Sequence, residues 1–230
     1  MIKKQIKVIA FDADDTLWVN ETYFREAENT FATLLSNYET ENKIHQELYK
    51  KEIENLSIYG YGIKGFVISM IECALELSNN TIKPNTISEI INIGKEMLQK
   101  PVIILDGVID VLDNLKKNYK LIVATKGDLL DQERKLEKSG LIKYFHHVEV
   151  MSEKKENDYT KLINNLDIQP NEFLMIGNSL KSDVLPLLNI GATAIHIPFH
   201  TTWEHEKVNQ DTSNLNYKSF SKIIDILGSL

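Results

Sequence analysis

The sequence has few of the features that cross-link small proteins or anchor proteins in a membrane. Its 230 residues include one cysteine, Cys73, which excludes an internal disulfide framework and a zinc site built from cysteines. No apolar run approaches the roughly 20 residues that a helix needs to span a bilayer. The first apolar stretch is interrupted at Asp12, too early for a secretory signal. We therefore expect a protein of the reducing cytoplasm that has no membrane partner.

Positive charge is also in short supply. The chain has 26 Lys and Arg against 33 Asp and Glu, a formal net charge of −7, with no long basic stripe. This balance disfavours nucleic acid and anionic membranes as partners. An anionic substrate would need a metal ion and local donors to overcome the overall field. The hydrophobic fraction of 43% is that of an ordinary globular protein, so wholesale disorder is not expected.

Hydrophobic periodicity divides the chain into two kinds of segment. Between about residues 20 and 99 the apolar spacing is helical throughout, which predicts four amphipathic helices. From residue 101 onward, short β-branched runs alternate with helical patterns. Strands are predicted at 6–11, 121–124, 147–151, 173–176 and 193–197, and helices at 108–117, 129–138, 157–166, 182–188 and 220–227. The pattern predicts an α/β fold whose mostly parallel sheet is covered on both faces, with a helical block inserted after the first strand.

The first strand ends in an unusual cluster of acids, Asp12-Ala13-Asp14-Asp15-Thr16. Carboxylates this close repel one another unless a cation or a shared proton intervenes. An aspartate at a strand end can act as a nucleophile toward a phosphoryl group, and a divalent cation commonly holds phosphate beside carboxylates. The alternative is that these residues only cap the following helix.

Polar residues also follow the other predicted strands. Ligands of an open parallel sheet bind beyond the carboxyl ends of its strands, so these residues are expected at one edge. Each alone is compatible with a helix cap, a solvated loop or a tight turn. Together they favour a functional site. The set is Thr125-Lys126-Gly127-Asp128, the lysines 154 and 155, and Gly177-Asn178-Ser179 with Asp183.

In this order the segments resemble the four motifs of the haloacid dehalogenase superfamily of phosphohydrolases, over nearly the whole chain. The resemblance implies a three-layer Rossmann-like core, residues 1–16 and 101–230, and an all-helical cap, residues 17–100. Dehalogenases lack the second aspartate of the first motif, whereas Asp14 is present here. The phosphatase branch is therefore favoured, because departure of an alcohol from phosphorus needs a proton.

The resemblance also implies a role for each site residue. Asp12 would be the nucleophile and Asp14 the general acid and base. Mg²⁺ would be held by the carboxylates of Asp12 and Asp183 and the carbonyl of Asp14, with Asn178 where many relatives carry an acid. Further roles fall to Thr125 as hydroxyl donor, Lys126 or Gly127 as amide donor, and Lys154, favoured over Lys155 by its spacing to Tyr159, as the neutralising ammonium.

Three positions carry weaker expectations. Asp15 replaces a glycine often found in relatives, which makes a positive φ less expected there. Tyr61 and Lys64, in a glycine-rich connection between helices, are candidate substrate contacts, although a flexible turn explains them equally well. Surface or rim positions are expected for His200, Trp203 and His205.

The preferred hypothesis is thus a magnesium-dependent phosphatase acting on a small phosphate ester through an aspartyl-phosphate. A phosphotransferase or mutase would use the same residues. A receiver phosphorylated on aspartate would carry its acceptor on a middle strand, without a helical insertion after the first. A non-catalytic phosphate-binding relative remains an alternative that Asp12 and Asp14 disfavour. The sequence predicts no oligomeric state.

Overall fold

The computed structural model describes residues 6–230, so residues 1–5 of the predicted segment 1–16 lie outside the described part. The fold contains a six-stranded sheet of order β3-β2-β1-β4-β5-β6 in which every neighbouring pair is parallel. Its strands are β1 Val8–Phe11, β2 Lys120–Lys126, β3 His147–Met151, β4 Phe173–Gly177, β5 Thr193–His196 and β6 Lys218–Ser219. The predicted α/β class and Rossmann-like sheet are confirmed. The two-residue strand β6 has no counterpart in the prediction.

α-Helices lie between consecutive strands from β1 to β5, whereas only a 3₁₀ turn, Glu204–Glu206, lies between β5 and β6. The α-helices are α1 Glu21–Leu34, α2 Glu41–Tyr59, α3 Ile63–Leu77, α4 Pro84–Gln99, α5 Val108–Leu115, α6 Leu129–Ser139, α7 Glu156–Asn165 and α8 Leu185–Asn189. A π-helical turn, Leu180–Val184, precedes α8 where a single helix over 182–188 is predicted. The predicted helix over 220–227 is instead a 3₁₀ helix, Ile223–Gly228.

The chain separates into two compact units. Of the described residues, one unit comprises 6–21, 102–126 and 133–230 and contains the sheet; the other comprises 22–101 and 127–132 and contains helices α1 to α4. The predicted boundary of the helical insertion at 17–100 stays a prediction. Within residues 6–230 no helix combines the length and apolarity needed to cross a bilayer.

The sheet unit has a hydrophobic core on each face of its sheet. Alternation along β1 sends Ile9 and Phe11 into one core with α5, and Val8 and Ala10 into the other with α7. β1 is buried along its whole length because it pairs with β2 on one side and β4 on the other. The central position of β1 fixes whatever follows it at the middle of the strand ends. The helical unit has its own core, around Phe31 and Met70.

Candidate active site

Asp12 lies immediately beyond β1, at the centre of the sheet edge. Its backbone N–H donates to the carbonyl of Ile176 on β4 at 2.9 Å, so the ladder continues through this residue. β4 ends one residue later, at Gly177. Because the neighbouring strands are parallel, their ends meet at one edge and bring distant segments of sequence together there.

A buried ammonium joins two of the predicted acids. Lys154 Nζ donates to Asp12 Oδ1 at 2.6 Å and to Asp183 Oδ1 at 2.7 Å. Lys154 is 3% exposed, Asp12 7% and Asp183 1%. We call these three residues the Lys154 cluster. Lys155 does not take part: its exposed ammonium lies 3.9 Å from Glu153.

Burial and charge oppose one another in the Lys154 cluster. Burial raises the pKa of Asp12 above its ordinary value and the Asp183 charge adds to the rise, while Lys154 works against both. Burial lowers the pKa of Lys154, but the two carboxylates outweigh burial and hold that pKa well above its usual range. The ammonium therefore stays charged. Two carboxylates share it, so the cluster carries one negative charge in excess only when both are ionised, and the raised pKa of Asp12, about 7, opposes that state.

The turn after β4 is built around the Asp183 carboxylate. A Cβ added at Gly177 would lie 2.3 Å from Asp183 Oδ2, so only glycine permits this approach. The Ser179 N–H donates to the same oxygen at 3.0 Å. Ser179 Oγ in turn accepts from the Ser182 N–H. The turn thus presses a carboxylate against the end of β4, beside Lys154.

Asp14 is held on one oxygen by two donors. Trp18 Nε1 donates to Asp14 Oδ1 at 2.7 Å, and Lys135 Nζ donates to the same atom at 2.6 Å. Lys135 also donates to Asn20 Oδ1 at 3.2 Å. Sequence reasoning missed Lys135 because its position on α6 is that of an ordinary charged helix residue.

Asp15 corrects an expectation. Its φ is +61°, in the left-handed region, although glycine is absent. Its carboxylate accepts hydrogen bonds from the backbone N–H groups of Asn20 and Glu21 at the start of α1. Aspartate tolerates this conformation better than most residues. The side chain therefore serves as a cap, as the alternative interpretation of this segment proposed for one of its acids.

Thr125 and Asn178, the remaining predicted site residues of the sheet unit, each take part in a side-chain hydrogen bond. Thr125 is 1% exposed near the end of β2, and its hydroxyl donates to the Lys126 carbonyl at 3.1 Å. The Thr16 hydroxyl has two acceptors within hydrogen-bond distance. Asp12 Oδ2 lies 3.1 Å from Thr16 Oγ1, and Asn178 Oδ1 lies 3.4 Å from it. Thr16 thus links the acid motif to the loop that follows β4.

Three predicted substrate contacts belong to the helical unit. Tyr61 precedes α3, and Lys64 lies in its first turn, where its ammonium donates to Asp128 Oδ2 at 2.9 Å. Gly127 has a φ of +132°, and a Cβ there would lie 2.9 Å from Gln132 Nε2. The roles of these residues stay predictions.

A second, partly buried ion pair was not predicted. Glu206, on the 3₁₀ turn Glu204–Glu206, accepts from Lys126 Nζ through Oε1 and from Ser179 and Ser182 hydroxyls through Oε2. We call Lys126, Ser179, Ser182 and Glu206 the Glu206 cluster. Burial raises the pKa of Glu206, but Lys126 and the hydroxyl donors outweigh it and lower that pKa to about 2. Its neighbour His205 was expected at the surface or rim, and both His205 and Glu206 are half-buried.

The donor set at the sheet edge fits a magnesium ion. Asp12 and Asp183 supply hard carboxylate oxygens close enough to share one ammonium. Among residues 6–230 there is no group of three or more His, Cys, Asp and Glu side chains arranged to hold a metal. Mg²⁺ usually binds one or two carboxylates and completes its shell with substrate phosphate and water. A backbone carbonyl at Asp14 and an amide oxygen at Asn178 are of the same hard type.

Comparison with known proteins identifies the family. A sequence profile for the haloacid dehalogenase-like hydrolases matches residues 6–191. The chain belongs to this family. The predicted resemblance and the assignment to hydrolytic enzymes are thereby confirmed. A haloacid dehalogenase-like hydrolase from Xanthomonas campestris is 35% identical, with a TM-score of 0.87 over 98% of this chain and 94% of that one.

Two further relatives are similar to the chain in different ways, one in sequence and one in fold. N-acylneuraminate-9-phosphatase of Mus musculus is 31% identical over 98 residues, covering 40% of this chain and 40% of that protein. The chain therefore matches well under half the length of this curated relative. A HAD hydrolase from Bacillus subtilis, solved with magnesium bound, is 17% identical with a TM-score of 0.67 over 99% of both chains. At that identity the likeness concerns the fold.

Proposed function

We propose that this chain is a magnesium-dependent phosphatase that hydrolyses a small phosphorylated metabolite. A carboxylate oxygen of Asp12 attacks phosphorus in line, and Asp14 gives a proton to the departing alcohol oxygen. Asp14 then takes a proton from the water that attacks the resulting aspartyl-phosphate, which releases phosphate and restores Asp12. Splitting one difficult displacement in two is the advantage of a covalent nucleophile.

The observation that carries this proposal is the buried Asp12 carboxylate, held at the sheet edge by Lys154 and Thr16 with a second acid two residues along the chain. Lys154 offsets negative charge as phosphate approaches. The hydroxyl of Thr125 and a backbone amide near Lys126 are proposed as donors to the phosphoryl oxygens.

A bound Mg²⁺ would supply further charge neutralisation at the phosphoryl group. Asp12 and Asp183 would hold it through their carboxylates, aided by the Asp14 carbonyl and Asn178. Support comes from the hard oxygen donors of this site and from the magnesium bound to the Bacillus subtilis relative. The phosphatase name of the Mus musculus relative supports phosphate esters as substrates, and makes N-acylneuraminate 9-phosphate a reasonable member of any test panel.

The test is a panel of phosphate esters assayed for phosphate release, with Mg²⁺ and with a chelator. We expect release by the wild type that depends on Mg²⁺ and is lost in Asp12→Asn, which keeps the shape of the side chain. Asp110→Asn, the same change at an exposed position of α5, should keep wild-type activity. The proposal fails if no ester releases phosphate, or if Asp12→Asn is as active as the control.

A further inference from the structure

We propose that Lys135 and Trp18 are positioning residues that aim the carboxyl group of Asp14 at the leaving-group oxygen. This inference rests on the proposed function, since it assigns the orientation of the acid that acts there. Both residues reach Oδ1 of Asp14, at 2.6 Å from Lys135 Nζ and 2.7 Å from Trp18 Nε1. Neither belongs to the segments that resemble the family motifs.

Trp18 provides a rigid donor. It is 1% exposed, and its indole belongs to the core that lies under one face of the sheet. Its backbone is fixed on two sides, because its carbonyl accepts from the Asp15 N–H at 2.7 Å and it forms a β-bridge with Ile104. An indole N–H can only donate, so Asp14 Oδ1 is the acceptor in this contact. A proton carried by the Asp14 carboxyl group would therefore lie on the other oxygen, Oδ2.

Lys135 provides a charged donor from a different direction. It lies on α6, 121 residues along the chain from Asp14, and its side chain is only 16% exposed. The same ammonium donates to Asn20, which limits its own freedom. Hydrogen bonds from charged donors are roughly twice as strong as those between neutral groups.

Two donors on one oxygen restrict rotation of the whole carboxyl group. Turning about the Cβ–Cγ bond would break both contacts at once, so Trp18 and Lys135 both restrain the direction in which the acid can deliver a proton. Small errors in the placement of an acid or base cost rate out of proportion to any loss of stability. A role limited to folding would instead affect all substrates alike.

Leaving groups of different acidity separate these two roles. p-Nitrophenolate departs without a proton, whereas phenolate and alkoxides depend more on one. We would measure kcat/KM for p-nitrophenyl phosphate and phenyl phosphate in the wild type, Lys135→Met and Lys135→Arg. Lys138→Met is the matched control, because it makes the same change at an exposed position of the same helix.

For Lys135→Met we expect a loss of about 10-fold to 100-fold on phenyl phosphate but less than about 3-fold on p-nitrophenyl phosphate, a fraction of the full contribution of general acid catalysis. Lys135→Arg should recover most of the loss, since it restores a cationic donor. Trp18→Phe removes the other donor and should show the same selectivity. Asp14→Asn should show it more strongly, and Lys138→Met should behave as wild type.

The inference is overturned if Lys135→Met lowers both substrates by the same factor, or lowers neither, while the wild type remains active. A wild type that hydrolyses neither these nor any other phosphate ester overturns the proposed function, and the positioning role with it. If Lys135→Met and Trp18→Phe both fold poorly, Lys135→Gln, which removes the charge, takes their place: a loss confined to phenyl phosphate would support a role in aiming Asp14, and equal losses on both substrates, or none, would contradict it.

Discussion

The Lys154 cluster is buried and the Glu206 cluster partly buried beside the carboxyl ends of the strands, and their charges are arranged in opposite ways. In the first, two carboxylates share one ammonium. In the second, one carboxylate accepts from an ammonium and two hydroxyls. With both carboxylates ionised, the first carries one negative charge in excess, which favours a bound cation. The second is saturated by donors, which suits a role in holding loops together.

Removing the shared ammonium should have the largest effect. Lys154→Met leaves Asp12 and Asp183 buried without their common partner, and we expect the free energy of unfolding to fall by about 3 to 5 kcal/mol. Activity should be lost as well. Urea unfolding at pH 7 measures the first effect. Lys155→Met is the control and should lie within about 0.5 kcal/mol of wild type. Equal effects of the two substitutions would contradict the assignment of Lys154.

Glu206→Gln should cause the next largest loss of stability. Its pKa in the folded state is about 2, below the ordinary value of 4.5, so ionised Glu206 stabilises the fold above that ordinary value. The stabilisation is lost as the pH falls toward 2. The shift corresponds to about 3 to 4 kcal/mol at pH 7. The gap between variant and wild type should narrow below about pH 4.5.

Unfolding measured at pH 7, 4 and 3 tests this dependence on pH. Glu204→Gln changes an exposed neighbour on the same turn and should show a far smaller gap. A gap for Glu206→Gln that stayed constant down to pH 3 would mean that charge is not what stabilises the Glu206 cluster.

A smaller effect is expected where the two clusters adjoin. Gly177→Ala places a methyl group 2.3 Å from Asp183, which Lys154 and the Ser179 N–H hold in place. We expect a loss of about 1 to 3 kcal/mol from overpacking, together with reduced activity. Gly228→Ala is the control, since a Cβ there meets nothing within 4 Å. If Gly177→Ala matched that control in both stability and activity, the close approach of Asp183 to Gly177 would not matter for either property.

Asp15→Ala should be the mildest of these changes. It removes the cap on α1 and leaves a residue with a Cβ at a φ of +61°, for an expected loss of about 1 to 2 kcal/mol. Asp15→Asn keeps an accepting oxygen and tolerates this conformation, so it should lie close to wild type. Thermal unfolding of both variants checks the difference. Equal losses would show that the carboxylate charge matters rather than the cap.

Much of the sheet unit could be predicted because its information is local. Short β-branched runs separated by helical periodicity gave five strands and their parallel arrangement, and strand ends then indicated Asp12 and Asp183. The edges of the fold carry weaker signals. β6 has two residues, and the last segment winds as a 3₁₀ helix that apolar periodicity does not distinguish from an α-helix.

The missed residues depend on contacts between distant parts of the chain. Glu206 reaches Lys126 across 80 residues from a turn with no periodic pattern. Lys135 looks like any charged residue on an amphipathic helix until the fold brings it to Asp14. The expectation that Asp15 disfavours a positive φ was wrong. Sequence alone does not show that its carboxylate accepts hydrogen bonds from two backbone N–H groups in this conformation.

The central claim is that the Asp12 carboxylate is the nucleophile, and chemical trapping tests it most directly. Borohydride added during turnover of a phosphate ester with Mg²⁺ reduces an acyl phosphate to an alcohol, which converts a phosphorylated aspartate to homoserine. Peptide mapping by mass spectrometry should find homoserine at position 12 in the wild type and only when substrate is present. Turnover that continues while position 12 remains aspartate in every peptide would contradict the account.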